Sequence, residues 1–275
     1  MMKNETQTIR LIVFDWAGTT VDFGSRAPAA AFTHVFAVNG VSVTDDEARG
    51  PMGLSKREHL VAMFNTPQIA SRWKTVHGEA WTEQDVDAMY QQFVPLQIKA
   101  IEEHAELVPQ LLNVVDQLRS CDLRIGGTTG YFREAAEAVA LRAAQAGFEP
   151  DTNVCADDVP QGRPAPWMIY RVMERLGVYP PSTVVKVGDT VADIRAGLAA
   201  GCWSVGVCDS SSLTGLSLPE YAKLSANEKS DRLRQTTQAF RDAGCHAVIN
   251  SISELPSLID ELNEKNLSHA QVLNR

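Results

Sequence analysis

Asp15 closes the apolar run Leu11-Ile12-Val13-Phe14 and opens the loop Trp16-Ala17-Gly18-Thr19-Thr20. A hydrophobic strand that delivers a carboxylate into a Gly/Thr loop places an acceptor where backbone N–H groups can gather around an anion. Far downstream, Val184-Val185-Lys186-Val187 leads into Gly188-Asp189-Thr190-Val191-Ala192-Asp193. Two strand-end acidic sites in one chain suggest a nucleophile and a metal held at the carboxyl edge of a parallel sheet, where α/β folds bind ligands. Taken singly, each site has a plainer reading. Asp15 alone fits a turn, and Asp189 with Asp193 fits a turn and a helix cap.

The elements that would position these groups alternate along the chain. Leu11 to Phe14 reads as a short buried parallel strand. Helical patterns follow at Pro28 to Phe36, after the capping-box-like Thr44-Asp45-Asp46-Glu47, after Ser55, over Pro67 to Val76 and over Thr82 to His104. No strand pattern interrupts the stretch from Val43 to Leu107. Strand and helix then alternate: a helix over Leu107 to Ser120, a strand over Leu123 to Gly126, a loop at Thr128-Thr129-Gly130-Tyr131 and a helix over Glu134 to Ala146. The rhythm continues with a brief strand at Val154-Cys155, a helix over Pro166 to Leu176, and strands at Thr183 to Val187 and Trp203 to Val207 around a helix. A polar helical stretch over Leu218 to Asp242 then leads to a last strand at His246 to Ile249 and a closing helix. This order predicts an α/β protein. Its expected architecture is a Rossmann-like doubly wound parallel sheet core, residues 1–24 and 105–275, with an inserted α-helical cap domain over 25–104.

Bulk composition narrows the function. The 275 residues are 44% hydrophobic and 21% charged, enough for a proper core. A formal net charge of −9 argues against nucleic acid or an anionic membrane as the main partner. A local metal and a few cations can still bind an anionic small molecule. The five cysteines form no CxxC pair and the polar stretch Met1 to Arg10 has no apolar signal core, so the expectation is a reduced, cytoplasmic compartment. Trp73, Trp81 and Trp167 read as packing residues, Cys202 and Cys208 as core, and Glu228 to Arg241 as a solvated helix face.

Four stations fall at strand ends or just after them: Asp15, Thr128 with Thr129, Arg163 in Gly162-Arg163-Pro164, and Asp189 with Asp193. Their order resembles the haloacid dehalogenase superfamily of phosphoryl-transfer enzymes over essentially the whole chain. The resemblance implies that Asp15 is the nucleophile, that a Thr binds phosphoryl oxygens, that Arg163 neutralises charge, and that the acidic pair serves Mg2+. Phosphorus transfer needs an in-line nucleophile with cations and donors around the equatorial oxygens. Arg163 also has a plainer reading, a surface pair with Asp157 or Asp158. One position departs from the superfamily. Phosphatases and mutases carry a second Asp two residues after the nucleophile as general acid; here that position is Ala17, and a methyl group has no proton to give.

Arg49-Gly50-Pro51-Met52-Gly53-Leu54-Ser55-Lys56-Arg57-Glu58-His59, together with Asp15-Trp16-Ala17-Gly18-Thr19-Thr20, resembles the phosphonatase branch, the phosphonoacetaldehyde hydrolases. The resemblance implies a Schiff base between Lys56 and an aldehyde substrate, whose iminium accepts the electrons of the breaking C–P bond. No acid at position 17 is then needed. It implies further that Asp15 forms an aspartyl-phosphate, that Thr129 or Thr128 and Arg163 hold the phosphonate, and that Met52 and Gly53 shape the pocket. Asp15, the Ala17 carbonyl and Asp189, supported by Asp193, would bind Mg2+. His59, three residues after Lys56 on one helical face, would shuttle protons. Such relatives are commonly homodimers through their caps. Ser25-Arg26 replaces a Cys-Phe pair of some relatives, which leaves the role of that position open. Without this context Lys56 is an ordinary surface lysine and His59 a packed histidine.

Overall fold

The computed structural model describes residues 8–273, so most of the polar stretch Met1 to Arg10 lies outside the described residues. Six strands alternate with helices: β1 (Leu11–Asp15), β2 (Arg124–Thr129), β3 (Thr152–Cys155), β4 (Val184–Gly188), β5 (Trp203–Val207) and β6 (Ala247–Ile249). All pair in parallel in the order β3-β2-β1-β4-β5-β6, the doubly wound arrangement. Parallel pairing explains the unbroken apolar runs, because both faces are covered. Along β1, Ile12 and Phe14 enter one core cluster and Leu11 and Val13 the other.

Between β1 and β2 lies a helical block: α1 (Arg26–Val38), α2 (Asp45–Arg49), α3 (Lys56–Phe64), α4 (Pro67–His77) and α5 (Glu83–His104). The capping residues act as their types require. Thr44 and Thr82 each close a reciprocal box, with Glu47 and Asp85. The interior of the block is aromatic, with Phe32 stacked on Phe93 at 4.4 Å and Phe64 set edge-on to Trp73 at 4.9 Å. These rings belong to the same apolar cluster as Phe14 and Val187 of the sheet. Each buried Phe contributes on the order of 2–3 kcal/mol by leaving water, so the block is anchored to the sheet by more than its two linkers.

The remaining helices cover the sheet: α6 (Leu111–Ser120), α7 (Arg133–Gln145), α8 (Trp167–Leu176), α9 (Val191–Ala199), α10 (Leu218–Lys223), α11 (Ala226–Asp242) and α12 (Leu255–Leu273). Residues of α6, α7 and α12 enter the cluster on one face, and residues of α8 and α9 enter that on the other. Among the described residues no helix is long and apolar enough to cross a membrane.

The structure departs from the sequence reading in four places. The strand expected at Leu123 to Gly126 runs from Arg124 through Thr129, so Thr128 and Thr129 are strand residues. Pairing with β1 extends it, setting Thr128 opposite Asp15. The polar helical stretch from Leu218 to Asp242 is two helices, each with its own Ser–Glu capping box. Trp73 is buried and Trp81 packs against the core, but Trp167 is 48% exposed at the start of α8 and is no packing residue. Arg163 does not pair with Asp157 or Asp158, which are both bound by Arg133.

Candidate active site

Asp15 ends β1 and Asp189 follows β4, its neighbour in the sheet, at the point where the chain winding reverses direction. The loop after Asp15 folds tightly on itself. The N–H of Gly18 donates to the Val21 carbonyl (2.8 Å), and those of Thr19 and Thr20 donate to the Trp16 carbonyl. Gly18 has φ +83°, and a Cβ there would collide with the Asp189 carboxylate. Only glycine lets the two acidic loops approach this closely. The Trp16 indole donates to Asn153 (2.8 Å) and fixes the outer side of the loop.

Arg163 lies almost fully buried between the carboxylates. One terminal nitrogen donates to Asp15 at 2.5 Å and to the Thr128 carbonyl at 2.8 Å; the other reaches Asp193 at 3.0 Å. Lys186 of β4, also buried, reaches the same Asp193 oxygen at 2.8 Å. The second Asp193 oxygen accepts from the Thr190 hydroxyl at 2.5 Å. One Asp193 oxygen is thus ion-paired but accepts no hydrogen bond among the described residues, and the other is hydrogen-bonded. Burial alone would raise the Asp15 pKa, but Arg163 and Lys186 outweigh it and hold the carboxyl below its ordinary range.

Asp189 is in the opposite condition. Burial and the neighbouring Asp15 and Asp193 charges push its pKa well above the usual carboxylate range. The Ser212 N–H (2.8 Å) only partly compensates. Asp15, Asp189 and Asp193 each offer an oxygen within 4.8 Å of the others. A buried cluster of hard oxygen donors with one under-compensated carboxylate fits a small divalent cation such as Mg2+. The Ala17 carbonyl takes no part in the bonds that close its loop, which leaves it available to the same cation.

The helical block faces this edge with residues 52–59. Gly53 (φ +92°) sits so near the start of α9 that a Cβ would collide with the Thr190 hydroxyl and fall 2.8 Å from the Ala192 Cβ. A Cβ on Gly130 would come within 2.7 Å of the Leu54 carbonyl. The turn around buried Met52 is thus wedged between the loops that follow β2 and β4. Lys56, the first residue of α3, is 5% exposed and makes no hydrogen bond or ion pair among the described residues. Its Nζ lies 4.9 Å from the Tyr131 ring centre and 5.7 Å from that of Phe32. Burial pushes the Lys56 pKa down to about 8; the Asp15 charge opposes this and the Arg163 charge adds to it. The positive end of the helix it begins acts in the same direction.

His59 is fully buried and stacks on Phe32 at 3.7 Å. Its Nε2 lies 2.8 Å from the Ala48 carbonyl, which can only accept, so Nε2 carries the proton and Nδ1 keeps a free lone pair. Burial and the nearby Lys56 charge hold its pKa well below the ordinary value, and the ring is neutral.

The two threonines also separate. Thr128 sits beside Arg163 (3.3 Å) and donates to the Phe14 carbonyl (3.4 Å). Thr129 accepts from the Tyr131 N–H (3.1 Å), which leaves its own hydroxyl proton uncommitted. Sequence reading missed Lys186 and Tyr131. The signal for Lys186 was a single charge within a doubly buried strand, where such a group must find a counter-ion. Nothing in the sequence singles out Tyr131.

A family model for haloacid dehalogenase-like hydrolases matches residues 9–201, and the chain belongs to that family of hydrolases. It is similar to the phosphonoacetaldehyde hydrolase of Syntrophobacter fumaroxidans, 43% identical over 262 residues that span 95% of each chain. The phosphonoacetaldehyde hydrolase of Bacillus cereus is 40% identical over 259 residues, 94% of this chain and 98% of that one. The crystal structure of a phosphonoacetaldehyde hydrolase-like protein from Oleispira antarctica matches with a TM-score of 0.94 at 35% identity, covering 98% of both chains.

Proposed function

We propose that this hydrolase cleaves the C–P bond of phosphonoacetaldehyde to give acetaldehyde and phosphate. The observation that carries the reading is Lys56, a buried amine with no hydrogen bond or ion pair among the described residues, whose pKa of about 8 leaves a useful neutral fraction near neutral pH. The neutral amine adds to the aldehyde carbon, and loss of water gives the iminium. Asp15 then attacks phosphorus as the C–P bond breaks, and the bonding pair passes into the iminium to form an enamine. Water hydrolyses the aspartyl-phosphate. Protonation of the enamine carbon and hydrolysis of the resulting imine release acetaldehyde and free Lys56. Ala17 is tolerated at the usual acid position because the leaving carbon is stabilised by the imine rather than by a proton.

Arg163 and Thr129 would hold the phosphonate oxygens, with Thr128 orienting Arg163. His59 Nδ1, neutral and unpaired, would accept a proton as the carbinolamine forms. Mg2+ held by Asp15, Asp189 and the Ala17 carbonyl would offset the charge on the phosphonate. Asp193 would support that site by pairing with Arg163 and Lys186 through one oxygen while Thr190 holds the other. Residues 25–104 would act as a cap over the core of 1–24 and 105–275, with Met52 and Gly53 at the seam and water excluded on closure. In this reading the protein is a cytoplasmic homodimer working in aminophosphonate breakdown, downstream of a transaminase.

Phosphate release from phosphonoacetaldehyde, measured with and without Mg2+, tests the activity. Borohydride added during turnover should leave a two-carbon adduct on Lys56, found by peptide mass. Turnover with no adduct at that residue would exclude the imine route. Faster phosphate release from sugar phosphates than from phosphonoacetaldehyde would point to a phosphate-ester substrate instead.

A further inference from the structure

Arg49 belongs to the motif that carries Lys56 but has no place in the chemistry above. It ends α2 and is 9% exposed. A buried guanidinium needs its donors matched, and this one is matched by main-chain carbonyls. One terminal nitrogen donates to the Gly24 carbonyl at 2.6 Å, to Ser25 at 3.3 Å and to Ser212 at 3.4 Å. Its carboxylate partner, Asp45, is exposed and lies 3.6 Å away.

Those three carbonyls are not equivalent. Gly24 and Ser25 belong to the segment leading from β1 into α1, where Asp22 (φ 54°), Gly24 (φ 83°) and Ser25 (φ 50°) all adopt left-handed backbone. Two non-glycine residues in that region persist only when surrounding contacts enforce them. Ser212 is the residue whose N–H holds Asp189 at 2.8 Å, while the Ser211 hydroxyl donates to the Asp189 carbonyl at 2.6 Å. The neighbouring Ser210 hydroxyl donates to the Gly18 carbonyl at 2.7 Å. One peptide segment is therefore gripped from the helical block on one side and holds a carboxylate of the site on the other.

We propose that Arg49 is a positioning residue that couples the seating of the helical block to the orientation of Asp189 through the Ser212 peptide. The proposal rests on the reading of Asp189 as a Mg2+ ligand. With the block seated, Arg49 fixes the Ser212 carbonyl, and the N–H of the same residue aims Asp189. With the block displaced, that carbonyl loses its donor and the loop is freer. Linkage then requires the reverse effect: Mg2+ binding favours the seated block by the same factor.

Calorimetric titration of Mg2+ into the intact protein tests this without turnover, with hydrogen exchange of residues 50–54 as the readout of seating. Asp189→Asn should abolish Mg2+ binding. Arg49→Met, which keeps the apolar stem, should raise the Mg2+ Kd about tenfold or more, and Mg2+ should slow exchange at 50–54 in the wild type but not in this variant. A purely architectural arginine would lower the melting temperature and leave the Kd alone, and that result overturns the proposal. Should Arg49→Met not fold, Arg49→Lys replaces the fork with a single donor centre. A raised Kd in Arg49→Lys supports the coupling, and an unchanged one overturns it. Failure of the wild type to bind Mg2+, or wild-type affinity in Asp189→Asn, overturns the ligand reading itself and the coupling with it.

Discussion

Asp15 on the sheet edge and Lys56 on the helical block are equally buried, at 5% exposure each, yet their surroundings act on them in contrasting ways. Around Asp15 the protein concentrates charge. Arg163 and Lys186 outweigh the cost of burial, and the carboxylate stays ionised. Around Lys56 it removes partners. Two aromatic rings replace counter-ions, and the ammonium loses ground to the neutral amine. Burial by itself therefore says little about protonation; what lines the buried space decides it. In the proposed reaction the carboxylate must be charged and the amine must not be, and the two surroundings suit those needs.

Substitutions can break each wall separately. Asp15→Asn should have the largest effect, lowering phosphate release by roughly 10⁴-fold or more, on the scale of losing a covalent nucleophile. Borohydride trapping on Lys56 should survive it, because imine formation does not need the carboxylate. Lys56→Arg should lower C–P cleavage by about 10³-fold or more, since a guanidinium keeps the charge but forms no imine. Trapping should vanish in that variant, and retained cleavage would mean that the amine is not the electron sink. The protonation contrast can be read directly from the pH dependence of trapping. Only the neutral amine adds, so the trapping rate should rise as pH passes through about 8 and level off above it. An exposed lysine would show that rise near pH ~10.4 instead, and such a profile would refute the desolvated environment. Arg57→Ala should do least. Arg57 is next to Lys56 in sequence but faces solvent and pairs with Glu83 (2.7 Å) and Asp87 (2.8 Å). Its loss should cost no more than ~1 kcal/mol in denaturant melts and leave kcat unchanged.

The sheet wall was the more legible of the two in the sequence. Apolar runs ending in Asp15 and Asp189 announce strands that deliver acids to one edge, and parallel pairing then brings the acids together. The length of β2 was not legible, because Gly126-Gly127-Thr128-Thr129 has weak strand character of its own and is extended by its pairing with β1. The choice between Thr128 and Thr129 depended on hydrogen bonds made by other segments. The helical wall was visible only as a resemblance. Nothing in the spacing of Lys56 and His59 shows that Phe32, far upstream at the middle of α1, would form their apolar lining. Such an environment is assembled from separate segments and has no local pattern. Arg49 and Lys186 illustrate the same limit, since a charge reads as solvated until the fold shows where it is enclosed.

Gly53 gives this seam a built-in tolerance gauge. Its bare α-carbon rests against Thr190 and Ala192 with no room for one more methyl group. Alanine at that position would act as a doorstop, pushing the turn around Met52 away from the start of α9. A single hydrogen atom there is what lets these two turns sit flush.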